Sequence, residues 1–210
     1  MLYRVSKRFL DIFLAIIVWI IASPMMLLFA IIIKLSSKGP IFIPDSTRIS
    51  YFQPFFMYKF RTMKINSKEI LKENSDLQII LDNDHKIPLE IDLRVTPFGK
   101  FLRKTDLDEL PQVINVILGN MSLVGPRPYM KWELEQILRD DDPIAKENIR
   151  KIQTVKPGIT GLWQISGRNS VKFKQRLELD VMYIRNMNIW LDLKILLKTP
   201  KVLITGKGRV

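Results

Sequence analysis

Ile12 to Ile33 read IFLAIIVWIIASPMMLLFAIII, and how this stretch meets a membrane decides what kind of fold the rest of the chain can adopt. Only Ser23 and Pro24 interrupt it. As a straight helix it would be roughly 33 Å long, against a bilayer core of about 30 Å. It is longer than the apolar core of a signal peptide, and no A-x-A-like cleavage site follows it. A single spanning signal anchor is the plain reading. Two features oppose it. Pro24, near the midpoint, removes a helix hydrogen bond and crowds the preceding turn, which predicts a sharp bend. Both flanks are basic, with Arg4, Lys7 and Arg8 before and Lys34 and Lys38 after, whereas a spanning helix keeps its Lys/Arg excess on one side. Asp11 follows Lys7 by four residues and Arg8 by three, a spacing that lets it pair with either at the interface. A re-entrant hairpin, broken at Ser23-Pro24 and leaving by the face it entered, is the sharper expectation.

Composition bounds what the remainder can do. The 210 residues suffice for one domain with its own core. The chain has no cysteine, which excludes disulfides, thiolate nucleophiles and cysteine-ligated zinc and is compatible with a reducing compartment. His85 is the lone histidine, so histidine clusters and most histidine relays are excluded. Chemistry must rest on carboxylates, Lys, Arg, hydroxyls or a hard metal ion held by oxygen. A formal net charge of +12 predicts an anionic partner: nucleic acid, anionic lipid or a phosphorylated small molecule.

Outward from the apolar stretch, Gly39 to Met63 reads as extended, with GPIFIP, a polar turn, and PFFMYKFRTM, in which alternation places Lys59 and Arg61 on the exposed face of a strand. Asn66 to Leu81 has helical spacing inside a polar, peripheral segment that runs to about Asp92. Short amphipathic helices follow Phe98, then the loop SLVGPRPY. Asp140, Asp141 and Asp142 resemble a metal site, but an N-cap with Pro143 at the first helical position explains them better. The turn KPGITGLWQISGRN leads to Ser170, a candidate N-cap for a helix through about Tyr183. The tail NIWLDLKILLKTPKVLITGKG is apolar on one face and basic on the other, which fits an interfacial helix and a core helix equally well. Strands are few and show no βαβ alternation. The expected fold is α+β and mainly helical: the re-entrant hairpin, interfacial amphipathic helices and a small β element. Residues 1–38 form the membrane anchor and residues 39–210 one integrated body.

Leu102 to Val113, LRKTDLDELPQV, concentrates three carboxylates after an Arg-Lys pair. Thr105 and Asp108 fit a capping box, acids in a first turn complement the helix dipole, and Pro111 is tolerated near a helix start. That pattern places a helix N-terminus between Thr105 and Leu110. Asp106-Leu107-Asp108 also matches the D-x-D of nucleotide-sugar glycosyltransferases, but there it follows a strand, and PFGKFLRKT reads as helix or turn. Capping needs neither three acids nor the arginines around them.

The motifs KRFLD, the Ser-Pro inside the apolar stretch, YKFRTM, RKTDLDELPQVINVILGNMSLVGPRP, KPGITGLWQISGRN and ELDVMYIRNM occur in one order from about Lys7 to Lys198. In that order the chain closely resembles the bacterial sugar transferases, specifically the small monotopic polyprenyl-phosphate phosphoglycosyl transferases. The resemblance implies transfer of a phosphosugar from a UDP-sugar to polyprenyl (undecaprenyl) phosphate, giving polyprenyl diphosphosugar and UMP. It implies a covalent phosphosugar on Asp108, with Glu109 as its partner and Mg2+ bridging Asp108 and the diphosphate; a carboxylate nucleophile splits one displacement into two, and the ion offsets repulsion between anions. Arg103 and Arg127 match phosphate-binding positions, a task suited to the planar guanidinium. Lys59, Arg61 and Arg168 are further candidate phosphate contacts, Arg168 also for uracil. Lys7, Arg8, Asp11, Ser23 and Pro24 belong to the anchor.

The resemblance also implies a monotopic protein on the cytoplasmic face of the bacterial inner membrane, starting glycoconjugate assembly, with donor, acceptor and membrane lipid as partners and a homodimer as a compatible state. The chain departs from the family where PDSTRISYFQPF replaces a Gln-x-Arg-x-Gly-like turn, and where Lys64 to Asp92 is longer than the common form. Both differences bear on donor specificity. A nucleic-acid binder is disfavoured by the membrane stretch and by the missing glycines of an aromatic-basic RNA-binding strand. A membrane-anchored basic scaffold without catalysis would need neither the acidic dyad nor its arginines.

Overall fold

A computed structural model describes residues 2–44, 46–84 and 87–205. His85, Asp45 of the PDSTRISYFQPF turn and the last residues of the basic tail, 206–208, lie outside the described residues. The apolar stretch falls within α1, Leu2–Ser36, which is one element: Pro24 sits inside it. The proline deletes a rung of the ladder, yet the turns on either side carry the helix past it. Among the described residues α1 is the helix long and apolar enough to cross a membrane, by length and composition.

The chain divides into two compact units. The larger draws on Met1–Ile21, Asp45–Tyr58 and Gln112–Arg209, the smaller on Ala22–Pro44 and Lys59–Pro111, so α1 gives one part to each. Mainly helical with small sheets is the architecture observed.

In the larger unit, β1 (Thr47–Ser50) and β2 (Gln53–Phe56) form an antiparallel hairpin with Thr47 opposite Phe56. Its two-residue turn holds Tyr51 and Phe52 at φ of 52° and 59°, the left-handed region that favours glycine or asparagine. β3 (Ser122–Val124) and β4 (Gly158–Thr160) pair in parallel, Ser122 beside Gly158. The glycines of SLVGPRP and KPGITG allow this approach, because a Cβ on Gly158 would lie 2.1 Å from Gly125 N. Between those strands run α6 (Lys131–Arg139) and α7 (Pro143–Ile152). Asp142 caps α7 as expected, its Oδ1 accepting from Ala145 N at 3.0 Å. α5 (Gln112–Leu118), α8 (Leu162–Ser166), α9 (Phe173–Arg185) and α10 (Ile189–Thr205) complete the unit. Lys172, not Ser170, caps α9; Ser170 closes a short 3-10 turn instead. Its core gathers Ala15 of α1, Val113 and Val116 of α5, Met121, Val124, Tyr183 and Ile195. The tail is helical, and α10 buries Asp192 and Ile195 while Trp190 and Leu197 are exposed.

In the smaller unit Ala22, Met26, Phe29 and Ile33 are buried at helical spacing on α1 and pack with Phe60 and Leu102. Phe29 meets Phe60 and Phe98 edge-on, at 6.2 and 5.5 Å between centroids. Each such pair adds about 0.5–1.5 kcal/mol beyond area burial. The polar segment after Asn66 folds into α2 (Ser67–Lys72) and α3 (Ser75–Asp84). α4 (Pro97–Thr105) starts at Thr96, whose Oγ1 accepts from Gly99 N at 3.0 Å.

Candidate active site

The acidic knot does not begin a helix. Thr105 is the last residue of α4, and its hydroxyl donates back to Phe101 O and Leu102 O, so it has turned away from any capping box. Asp106 takes φ 57°, ending α4 in the left-handed region, and Leu107–Glu109 make a 3-10 turn. α5 starts only at Gln112, immediately after Pro111. The expected helix N-terminus between Thr105 and Leu110 is therefore a helix end followed by a tight turn. The three acids therefore do not sit in the first turn of an α-helix whose dipole they would complement.

Electrostatics there come from side chains. Asp108 is 3% exposed, and its Oδ2 lies 2.9 Å from Lys59 Nζ. The same ammonium donates to Glu109 Oε1 at 3.0 Å. Backbone pairing fixes this geometry, since Phe60 N donates to Asp108 O at 2.9 Å. Lys59 and Arg61 are thus not on the exposed face of a strand: residues 57–64 run as irregular chain with single bridges at Phe60 and Met63. Burial raises the Asp108 pKa, Glu109 adds to that, and Lys59 and Arg103 oppose it, with the balance upward. Burial pushes the Lys59 ammonium down, but Glu109 and Asp108 outweigh it and hold its pKa above the ordinary lysine value.

Arg103 reaches the same site by a packing route. A Cβ on Gly99 would lie 2.1 Å from Thr62 O, so only glycine lets α4 press against the KFRTM segment. That contact brings Arg103 Nε to Thr62 Oγ1 at 2.8 Å. Burial lowers the Arg103 pKa, against the pull of Asp108 and Asp92. Arg94, absent from the sequence-based candidates, is held by both oxygens of buried Asp92, each at 2.8 Å.

Arg61 has another task. It is 6% exposed and donates to Pro40 O at 2.6 Å and to Ser37 Oγ and O at 2.7 and 2.9 Å. Arg61, expected as a phosphate contact, uses these donors to staple the chain that follows α1. In the larger unit Arg127 donates from Nη1 to Glu133 Oε1 at 2.7 Å and from its backbone N to Asp180 Oδ2 at 3.2 Å. Arg168 stands in the 3-10 turn Arg168–Ser170 with φ 55°.

The anchor's charges also turn inward. Lys7 lies 3.8 Å from Asp11, as spacing predicted, but its closer partner is Asp192 at 2.9 Å. Arg8 does not pair with Asp11; it donates to Val116 O and Ile117 O at 2.6 and 3.1 Å, where the end of α5 leaves carbonyls without helical partners. Asp11 is 5% exposed and accepts from Ser122 Oγ and Leu123 N at 2.7 and 3.1 Å. The Lys7–Asp11 pair is thus kept, and the remaining contacts of these charges hold α1 to the protein.

A family model described as bacterial sugar transferase matches residues 2–206. The chain belongs to the bacterial sugar transferase family. This bacterial sugar transferase is 41% identical over 208 residues to the undecaprenyl-phosphate galactose phosphotransferase of Salmonella typhimurium, covering 98% of this chain and 42% of that protein. It is 39% identical over 206 residues to the exopolysaccharide production protein ExoY of Sinorhizobium fredii, covering 97% and 88%. The UDP-glucose:undecaprenyl-phosphate glucose-1-phosphate transferase of Klebsiella pneumoniae is 39% identical over 202 residues, covering 93% and 39%. The chain therefore spans about two fifths of the length of the Salmonella and Klebsiella relatives.

Sequence reasoning missed Asn115, Asp180 and Asp192 in this bacterial sugar transferase. Asn115 is fully buried, accepting from Tyr58 N at 2.8 Å and donating to Phe56 O at 2.6 Å, and so ends β2 next to Lys59 in the chain. The available signal was a polar residue inside an apolar run, VINVIL and ELDVMY, where an unpaired group would be costly.

Proposed function

We propose that this chain moves a phosphosugar from a UDP-sugar to polyprenyl phosphate, as the names of its relatives suggest, through a covalent intermediate on Asp108. The observation that carries the reading is one half-buried ammonium, Lys59 Nζ, bridging Asp108 and Glu109 at 2.9 and 3.0 Å. A carboxylate of raised pKa is a stronger nucleophile once ionised, and a neighbouring lysine keeps it ionised. Asp108 attacks the phosphorus that bears the sugar. The bond from that phosphorus to the bridging oxygen breaks, and UMP leaves with the electron pair. An oxygen of polyprenyl phosphate then attacks the same phosphorus, and Asp108 departs as carboxylate. Glu109 is placed to accept the proton of the incoming phosphate and to orient it. Lys59 and Arg103 counter charge on the phosphoryl oxygens.

Asp108 and Glu109 are hard oxygen donors, and among the described residues no group of three or more His, Asp and Glu gathers for a metal. Such a donor set fits a magnesium ion shared between one carboxylate, Asp108, and substrate phosphates, which is this ion's common mode. When bound it would supply charge neutralisation at the diphosphate.

The donor is dissolved and the acceptor is a lipid, so the site must work at a membrane surface. α1 provides the apolar segment, and a re-entrant hairpin at the cytoplasmic face of the bacterial inner membrane suits a net charge of +12 next to anionic lipid. A homodimer is compatible with this reading. The test is UMP release by purified protein with magnesium, polyprenyl phosphate and a panel of UDP-sugars. Release by wild type with at least one donor, and none by Asp108→Asn, is expected; release that survives Asp108→Asn would sink the covalent mechanism.

A further inference from the structure

Thr62 lies in the smaller unit with Lys59, Arg103, Asp108 and Glu109, and it is 1% exposed. Its backbone is clamped by α4: Thr96 N donates to Thr62 O at 3.0 Å, and Gly99 lets the helix close over that same carbonyl. The hydroxyl is thereby held in a fixed place, where Oγ1 accepts from Arg103 Nε at 2.8 Å. A guanidinium has N–H donors on Nε and on both terminal nitrogens, and this bond uses the one on Nε. Those on the terminal nitrogens meet no acceptor among the described residues, and neither nitrogen is sealed from solvent.

Neighbouring charges leave that end free. Asp92 is a buried carboxylate that draws on Arg103, but both its oxygens are held by Arg94, each at 2.8 Å. Asp108 and Arg103 also act on each other's charge, yet they make no direct ion pair. Arg103 therefore keeps its paired terminal N–H groups, the edge that holds phosphate oxygens in a bidentate way, while Nε is tied to a neutral hydroxyl. An arginine ordered before its anion arrives has less side-chain freedom to lose when the anion binds. We propose that Thr62 is a positioning residue, holding Arg103 by Nε so that its terminal nitrogens meet the phosphoryl group transferred at Asp108. Thr62 touches no substrate itself. The assignment rests on the proposed function in taking a phosphoryl group to pass through this site.

The test replaces Thr62 in the full chain with Val, which keeps the shape and deletes the acceptor, and with Ser, which keeps the acceptor. The backbone contacts of Thr62 survive both changes. In UMP release, kcat/KM for the UDP-sugar should fall about tenfold with Thr62→Val, and Thr62→Ser should recover most of the loss. In an Arg103→Ala background Thr62→Val should cost nothing further, a coupling that a general loss of packing would not show. A second arm does without turnover: phenylglyoxal labelling of Arg103, read by mass spectrometry, with inorganic diphosphate as protectant. Half-protection should need about tenfold more diphosphate in Thr62→Val than in wild type or Thr62→Ser. A wild-type kcat/KM in Thr62→Val, or a loss that recurs in full in the Arg103→Ala background, overturns the positioning role and leaves the reaction standing. If wild type releases no UMP from any donor, the proposed reaction falls and the labelling decides. Diphosphate protection equal in all three proteins then overturns the role of Thr62, whereas protection weakened in Thr62→Val alone upholds it.

Discussion

Lys7 meets Asp192 and Lys59 meets Asp108, each at 2.9 Å, and the two aspartates are 1% and 3% exposed. Around them the chemistry differs. Asp192 also accepts from the hydroxyls of Tyr3 and Tyr183, at 3.0 and 2.7 Å, so an ammonium and two phenols occupy its oxygens. Asp108 instead shares its ammonium with a second carboxylate, Glu109. A carboxylate surrounded by donors has its lone pairs engaged and acts as a fixed joint. One that competes for a single cation keeps basicity and lone pairs for a reaction.

The largest test of that contrast is the pair Asp108→Asn and Asp192→Ala. Asp108→Asn should cut UMP release at least ~10³-fold while leaving the melting temperature close to wild type, since Lys59 retains Glu109. Asp192→Ala strips a partner from a half-buried lysine and two tyrosines. It should lose about 3–5 kcal/mol of stability in denaturant titration, with turnover per folded molecule preserved. The roles would be exchanged if Asp192→Ala were stable and inactive.

Lys59→Met sharpens the comparison from the cation's side. Asp108 must be ionised to attack, and its pKa, already raised by burial, rises further without the ammonium. Turnover should drop about 10²-fold, and the acid limb of the pH–rate profile should move to higher pH. A limb that stays in place would separate Lys59 from the nucleophile's ionisation.

Asp180 gives a smaller effect with a defined sign. Burial raises its pKa to about 7, whereas in the unfolded chain it titrates near 4. Between those values the folded chain holds a proton that the unfolded chain has lost, so stability falls as pH climbs from about 4 to 7. Asp180→Asn should flatten that slope in urea midpoints taken at pH 5 and 7.5. Smallest is Tyr183→Phe, which removes the donor to Asp192 Oδ1 and should cost about 1–2 kcal/mol.

Legibility in the sequence followed the range of the interaction. Asp142 capping α7 rests on a contact three residues long, and pattern alone found it. The acidic dyad was legible because three carboxylates beside an Arg-Lys pair exceed what a cap requires. Thr105 misled because its hydroxyl has a local alternative, the carbonyls of the turn behind it. Arg61, Lys59 and Arg8 were misplaced for a different reason: their partners lie 21 to 108 residues away, at Pro40, Glu109 and Val116, and no periodicity encodes that. Gly99 and Gly158 had a purpose visible only once another backbone stood against them.

One consequence follows from α1 supplying Ala15 to the core of the larger unit and Ala22, Met26, Phe29 and Ile33 to that of the smaller. In many membrane enzymes the greasy segment is a tether that can be clipped to give a water-soluble catalyst. Here, removal of residues 1–38 would also take Asp11 from Ser122 and Phe29 from Phe60. A detergent-free preparation has to be sought by redesigning the outward side chains of this helix, such as Phe9, Ile21 and Leu27, rather than by cutting it off.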